Sequence, residues 1–184
     1  MQITRKNALK ALLASFLSLP VFGESSEKKD LKIFKEEFFS AWQRSEIYTL
    51  TVFNQMPEEY FDFRYTPEAF SFRTQFVHCI TFTAAQLSGR FAVKNPYEEK
   101  KKEYWSKLSK KEIEAEISGF YAWVKAFVSE AKSDWLTAKE DFAGGKIPKW
   151  RFLYAMENHI IHHRGQAIVY LRLKGIIPEG YIGW

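Results

Sequence analysis

At 184 residues, 46% hydrophobic and 27% charged, the chain is long enough to bury one substantial core and too apolar to be disordered. Its formal charge of +5 does not mark a nucleic-acid binder, because residues 1 to 23 hold three of the 27 basic side chains and no acid, leaving 24 against 22 in the remainder. The single cysteine, Cys79, excludes an internal disulfide in any compartment.

The first 23 residues have the layout of a secretory leader. Arg5, Lys6 and Lys10 form a basic start, Ala11 to Leu19 an apolar core too short to span a bilayer, and Val21-Phe22-Gly23 a small-residue end suited to cleavage before Glu24. Pro20 and Gly23 break this stretch from the rest of the chain, which argues against an amphipathic helix packed on the domain. The expectation is an exported, periplasmic domain over residues 24 to 184 with no stable membrane span after leader removal, or a cytoplasmic protein if the leader is retained.

Four segments beyond the leader carry a helical period. The first, Asp30 to Asn54, spaces Ile33, Phe34, Phe38, Trp42, Ser45, Tyr48 and Val52 by threes and fours, and this aromatic stripe reads as core. Met56-Pro57 and Tyr65-Thr66-Pro67 punctuate a loop, with Thr66 as N-cap and Pro67 as first residue of a second helix reaching Leu87. The pattern lapses between Ser88 and Lys107, where the mixed-sign run Glu98 to Glu103 reads as solvated loop or helix start. Ser109 with Glu112 forms a capping-box pattern for a third helix to Ala138, carrying Ile113, Ile117, Tyr121, Val124, Phe127, Val128 and Trp135. Gly144-Gly145 and Pro148 lead to a fourth helix, Lys149 to Lys174, stopped by Gly175 and Pro178. No alternating strand pattern stands out, so the fold expected is all-α, a four-helix bundle.

All four histidines fall on two of these helices, His78 on the second and His159, His162 and His163 on the fourth. His159 and His163 are four residues apart and rise from one face, one turn apart. Against the stripe of Phe152, Leu153, Met156, Ile160, Ala167 and Leu171, His163 lies about 60° from centre, His159 about 100° and His162 about 160°. His159 and His163 therefore face the bundle and His162 points away. A histidine on a half-apolar face is more often a hydrogen-bonded boundary residue than a ligand. Three that converge instead suit a divalent ion, with His78 as the third nitrogen and one coordination position left to a water or substrate. Cys79 points about 100° from His78 and reads as a small buried hydrophobe. Gln75 and Gln166, one turn from His78 and His163, either orient the ligands or are ordinary boundary polar groups. Arg164 pairs with Glu157 or anchors an anion, the pairing being the simpler reading.

The stretches Met56-Pro57-Glu58-Glu59-Tyr60-Phe61-Asp62-Phe63, Thr66-Pro67-Glu68 leading to His78, and Asn158-His159-Ile160-Ile161-His162-His163-Arg164-Gly165-Gln166, with Tyr170 to Gly175 and Pro178 after them, resemble the DinB-like superfamily, including its YfiT-like metal-dependent hydrolases. The likeness covers about residues 30 to 184. It implies a four-helix bundle, often a homodimer, with a histidine triad that binds zinc, nickel or a similar ion. Carried over by position, the triad is His78, His159 and His163. The leader lies outside the family pattern.

A neutral-imidazole triad suits borderline metals, zinc first, with nickel, iron or manganese as alternatives. Some members of the superfamily resemble thiol S-transferases or isomerases, so a metal-dependent transferase or hydrolase acting on a small molecule is one expectation. Hydrolysis calls for a general base, and no Glu stands beside His159 or His163 as in the zinc-protease helix motif. The other expectation is a noncatalytic, metal-stabilised bundle serving as a binding or stress-response module.

Overall fold

The computed structural model describes residues 26–182, so the leader expected over residues 1 to 23 lies outside the described residues. In chain order the elements are α1 (Ser26–Gln55), a 3-10 turn (Glu58–Tyr60), α2 (Phe72–Phe91), α3 (Lys102–Lys107), α4 (Lys110–Glu130), α5 (Ser133–Thr137), β1 (Lys139–Phe142), β2 (Gly145–Pro148) and α6 (Lys149–Leu173). The four long helices α1, α2, α4 and α6 form the all-α bundle expected from the sequence. Their tightest pairings are α2 with α6 and α1 with α4. No helix among the described residues is long and apolar enough to cross a membrane.

The core is aromatic, and it fixes where each helix sits. Phe53 of α1, Phe61 of the following loop and Phe72 of α2 are fully buried, and Phe76 is 2% exposed. Phe53 lies 5.2 Å from Phe61 and 5.0 Å from Phe76 between ring centroids. This packing accounts for the later start of α2, at Phe72 and capped by Ser71 in place of Thr66. The loop turns back so that the N–H groups of Phe72 and Arg73 donate to the carbonyls of Phe63 and Phe61. Residues 66 to 70 form a turn, with the Ala69 N–H donating to the Thr66 carbonyl, and are not helical.

Ser109 and Glu112 form the expected capping box at the start of α4. The third helix, expected to reach Ala138, instead stops at Glu130. Ala131 and Lys132 are extended and α5 follows. Past the break Ala131 and Leu136 are each buried, and Trp135 lies against Phe91, 4.9 Å away at the end of α2. The hairpin β1–β2 was not expected. Ala143 and Gly144 both take positive φ, 49° and 83°, as a two-residue type I′ turn requires. With only Phe142 and Ile147 as large apolar residues in its strands, the hairpin leaves no alternation to read.

A buried polar seam locks α4 and α6 to α1. Trp42 Nε1 donates to the Tyr121 carbonyl at 3.0 Å, and the Tyr121 hydroxyl lies 3.0 Å from Ser45 Oγ and 2.9 Å from Thr49 Oγ1. Arg164 Nη1 donates to the same two hydroxyls at 3.2 and 3.0 Å and its guanidinium lies 4.7 Å from the Tyr48 ring. The expected pairing of Arg164 with Glu157 is not made: α1 takes the guanidinium. Both Glu157 oxygens are buried without a hydrogen-bond partner among the described residues. Burial raises the Glu157 pKa, against the pull of the Arg164 charge.

Phe53→Ala should cost about 3–5 kcal/mol of unfolding free energy, because it opens a cavity that well-packed rings cannot fill. Phe82→Ala, at a ring 38% exposed, should cost less than about 1 kcal/mol. Denaturant unfolding of the two variants checks the order.

Candidate metal centre

The α2–α6 pair places the histidines. Gln75 meets His163, His78 meets both His159 and His163, and Thr83 meets His159, so residues ascend on α2 as they descend on α6. The two helices are antiparallel, and His78, lying between Gln75 and Thr83 on α2, faces the one-turn step from His159 to His163 on α6. Arg164 is drawn into the seam with α1, and the helical twist then turns His163, its predecessor, toward α2.

Ring centroids of the triad lie 5.0 Å (His78 to His159), 4.7 Å (His78 to His163) and 4.6 Å (His159 to His163) apart. One ring nitrogen from each comes within 4.8 Å of the others. His78 Nε2 and His159 Nε2 are 3.2 Å apart. Two nitrogens bound to one tetrahedral ion at about 2.0–2.1 Å sit about 3.3–3.4 Å apart, so this pair already has the spacing of shared coordination.

The outer nitrogens are held from behind. His163 Nδ1 donates to Gln75 Oε1 at 2.6 Å, which fixes the proton on Nδ1 and leaves the Nε2 lone pair for a ligand bond. His159 Nδ1 lies 3.3 Å from Thr83 Oγ1 and orients that ring likewise. Gln75 also acts on the Tyr170 hydroxyl, and that hydroxyl donates to the Phe70 carbonyl. Phe70 stacks on His163 at 6.1 Å and lies 5.1 Å from His78. Phe82, one turn beyond His78, stacks on that ring at 5.2 Å and approaches His159 to 4.6 Å.

Burial lowers the pKa of all three imidazoles, taking His159 and His163 down to about 4 with help from the neighbouring histidines. Neutral rings are the form that binds a cation. Among the described residues no carboxylate joins the cluster. The chemistry of the set, three neutral imidazoles, two of them hydrogen-bonded from behind, and no carboxylate donor, fits a borderline divalent ion and suits calcium or magnesium poorly.

The structure thus brings together His78, His159, His163 and Gln75, all singled out in the sequence. His162 is exposed and meets His163 only edge-on, at 5.0 Å and 89°. Gln166 makes no hydrogen bond to any of the three rings. Cys79 is buried, 7% exposed, and burial pushes its thiol pKa up, as for a core residue. Sequence reading missed Thr83, Phe70 and Phe82. Phe82 had a signal, its i+4 spacing from His78, whereas Phe70 is placed by the loop and had none.

The DinB family model matches residues 26–181. The chain belongs to the DinB family. Its fold is similar to that of a DinB-like protein from Bacillus subtilis, YjoA, with a TM-score of 0.64 at 15% identity, over 80% of this chain and 98% of that one. It is similar also to a DinB-like protein from Bacillus cereus, with a TM-score of 0.61 at 27% identity, over 79% and 96%. No curated protein matches the sequence. The three converging histidines lie on the second and fourth long helices of this DinB family member, and the described fold spans nearly the full length of both neighbours.

Gln75→Ala should weaken divalent-metal affinity by about 10–100-fold with the helical circular-dichroism spectrum retained, as measured by competition with a chromogenic chelator. The metal-free protein should also lose stability on acidification. An unfolded histidine takes its proton near the ordinary value of 6.5, whereas folded His159 and His163 wait until about 4. The unfolded state therefore binds more protons in this window, and Tm should fall as pH drops from about 6.5 to 4. The slope should be shallower in His159→Gln, and thermal melts at stepped pH read it.

Proposed function

We propose that the protein is a divalent-metal-dependent enzyme that holds one ion on His78, His159 and His163 and transfers a small thiol to an electrophile. The observation that carries this reading is the convergence of three neutral imidazole nitrogens in a site with no carboxylate among the described residues. Zinc is the first expectation, with nickel, iron or manganese as alternatives. A bound ion would supply Lewis acidity, lowering the pKa of a thiol or water beside it.

The chain's own residues do the rest. Gln75 and Thr83 hold the rings of His163 and His159 in one orientation, and burial keeps all three rings neutral at pH 7. In thiol transfer the sulfur forms a bond to an electrophilic carbon, the leaving group departs with its bonding pair, and the thiol proton goes to solvent. That reaction needs no carboxylate base, because a thiol is acidic enough to ionise once assisted. A carboxylate base would assist hydrolysis, and none among the described residues joins the triad, which favours the thiol reading. The proposal includes export of the domain after leader removal and assembly as a homodimer, supported by the leader pattern and the family resemblance.

Untagged protein should bind about one divalent ion per chain by plasma mass spectrometry. His78→Ala, His159→Ala and His163→Ala should each abolish that stoichiometry while His162→Ala keeps it. In a screen of small thiols against activated electrophiles, metal-dependent turnover should disappear in His163→Ala, and turnover that survives both this change and chelation would refute the assignment.

A further inference from the structure

Two phenylalanines bracket the triad, and neither is a core residue. Phe70 is 41% exposed and Phe82 38% exposed, although a ring in ordinary packing is largely covered. Phe70 faces His163 and His78 from the loop side, and Phe82 faces His78 and His159 from one turn up α2. Both are held in place. Phe70 has its carbonyl bound by the Tyr170 hydroxyl, and Phe82 lies inside the regular helix α2.

No charged side chain among the described residues hydrogen-bonds to the triad, whose rings meet Gln75, Thr83 and one another. Arg64, on the Phe70 side, donates to the Ala69 carbonyl. The cation next to His163 in sequence, Arg164, is turned into the core against Ser45 and Thr49, so it cannot receive an anionic ligand at the triad. Apolar area left in water beside a polar site marks recognition of an apolar partner.

We infer that Phe70 and Phe82 select the ligand, and that it is a neutral small molecule whose donor atom adjoins an aryl or bulky alkyl group lying between the two rings. Charged thiols are disfavoured, since a carboxylate there loses water while Arg64 and Arg164 are bonded to the Ala69 carbonyl and to the hydroxyls of α1. This inference rests on the metal reading above and adds the ligand class to it.

The test uses the full mature chain loaded with cobalt(II), whose sulfur-to-metal absorption band reports thiol binding directly. Benzyl mercaptan, 2-mercaptoethanol and mercaptoacetate are titrated in turn, the first two having similar acidity. Benzyl mercaptan should bind about tenfold more tightly than 2-mercaptoethanol, given the area two half-exposed rings can cover, and mercaptoacetate should bind most weakly. In Phe70→Ala and Phe82→Ala the preference should shrink to about threefold or less with cobalt content unchanged. Equal binding of all three thiols, or an undiminished preference in both variants, overturns the ligand class while leaving the metal site standing. Failure of the wild-type chain to take up cobalt overturns the metal reading and this inference together.

Discussion

The rotation of α6 about its own axis is the constraint on which the site depends. Arg164 sets it by donating to Ser45 and Thr49 of α1 while lying over Tyr48. A buried guanidinium demands such partners, since an unpaired charge in the core is costly. With Arg164 turned to α1, His163 and His159 have only α2 to face. The antiparallel α2 then brings His78 Nε2 within 3.2 Å of His159 Nε2. The metal candidates are thus products of the bundle's packing, and a polar seam on one side of α6 aims the ligands on the other.

A second chain of bonds ties the loop before α2 to the same site. Phe70 is fixed through its carbonyl to Tyr170, Tyr170 interacts with Gln75, and Gln75 accepts from His163. The aromatic layer of Phe53, Phe61, Phe72 and Phe76 delays the start of α2 and so sets Phe70 in the loop beside the triad. Core packing, the N-cap at Ser71 and the orientation of one imidazole are in this way parts of one arrangement. Each ring is neutral for the same reason that it is well placed: the bundle covers it.

Much of this was legible in the sequence, and what was not has physical causes. Stripes at three- and four-residue spacing gave the four long helices, and the Ser109–Glu112 box gave the start of α4, because these signals are local. Helical phase separated His159 and His163 from His162 for the same reason. The start of α2 was misread at Thr66-Pro67, since the turn back of Phe61 onto Phe72 is a tertiary contact with no local mark. The end of α4 was overrun because Val128 and Trp135 keep the helical spacing across a break that only the burial of Ala131 and Leu136 explains. The hairpin over residues 139–148 was hidden by its polar strands. Arg164 was expected to seek Glu157 on its own helix, yet the buried hydroxyls of α1 take it, a choice that only the folded bundle presents.

One ion shared by the Nε2 atoms of His78, His159 and His163 would be located by anomalous diffraction from a crystal of the metal-loaded protein. A single peak per chain at about 2.0–2.1 Å from all three Nε2 atoms, with Gln75 still bonded to His163 Nδ1 and His162 free, is the predicted result. A peak bound through His162, through Nδ1 of His163, or through fewer than three of these rings would contradict it.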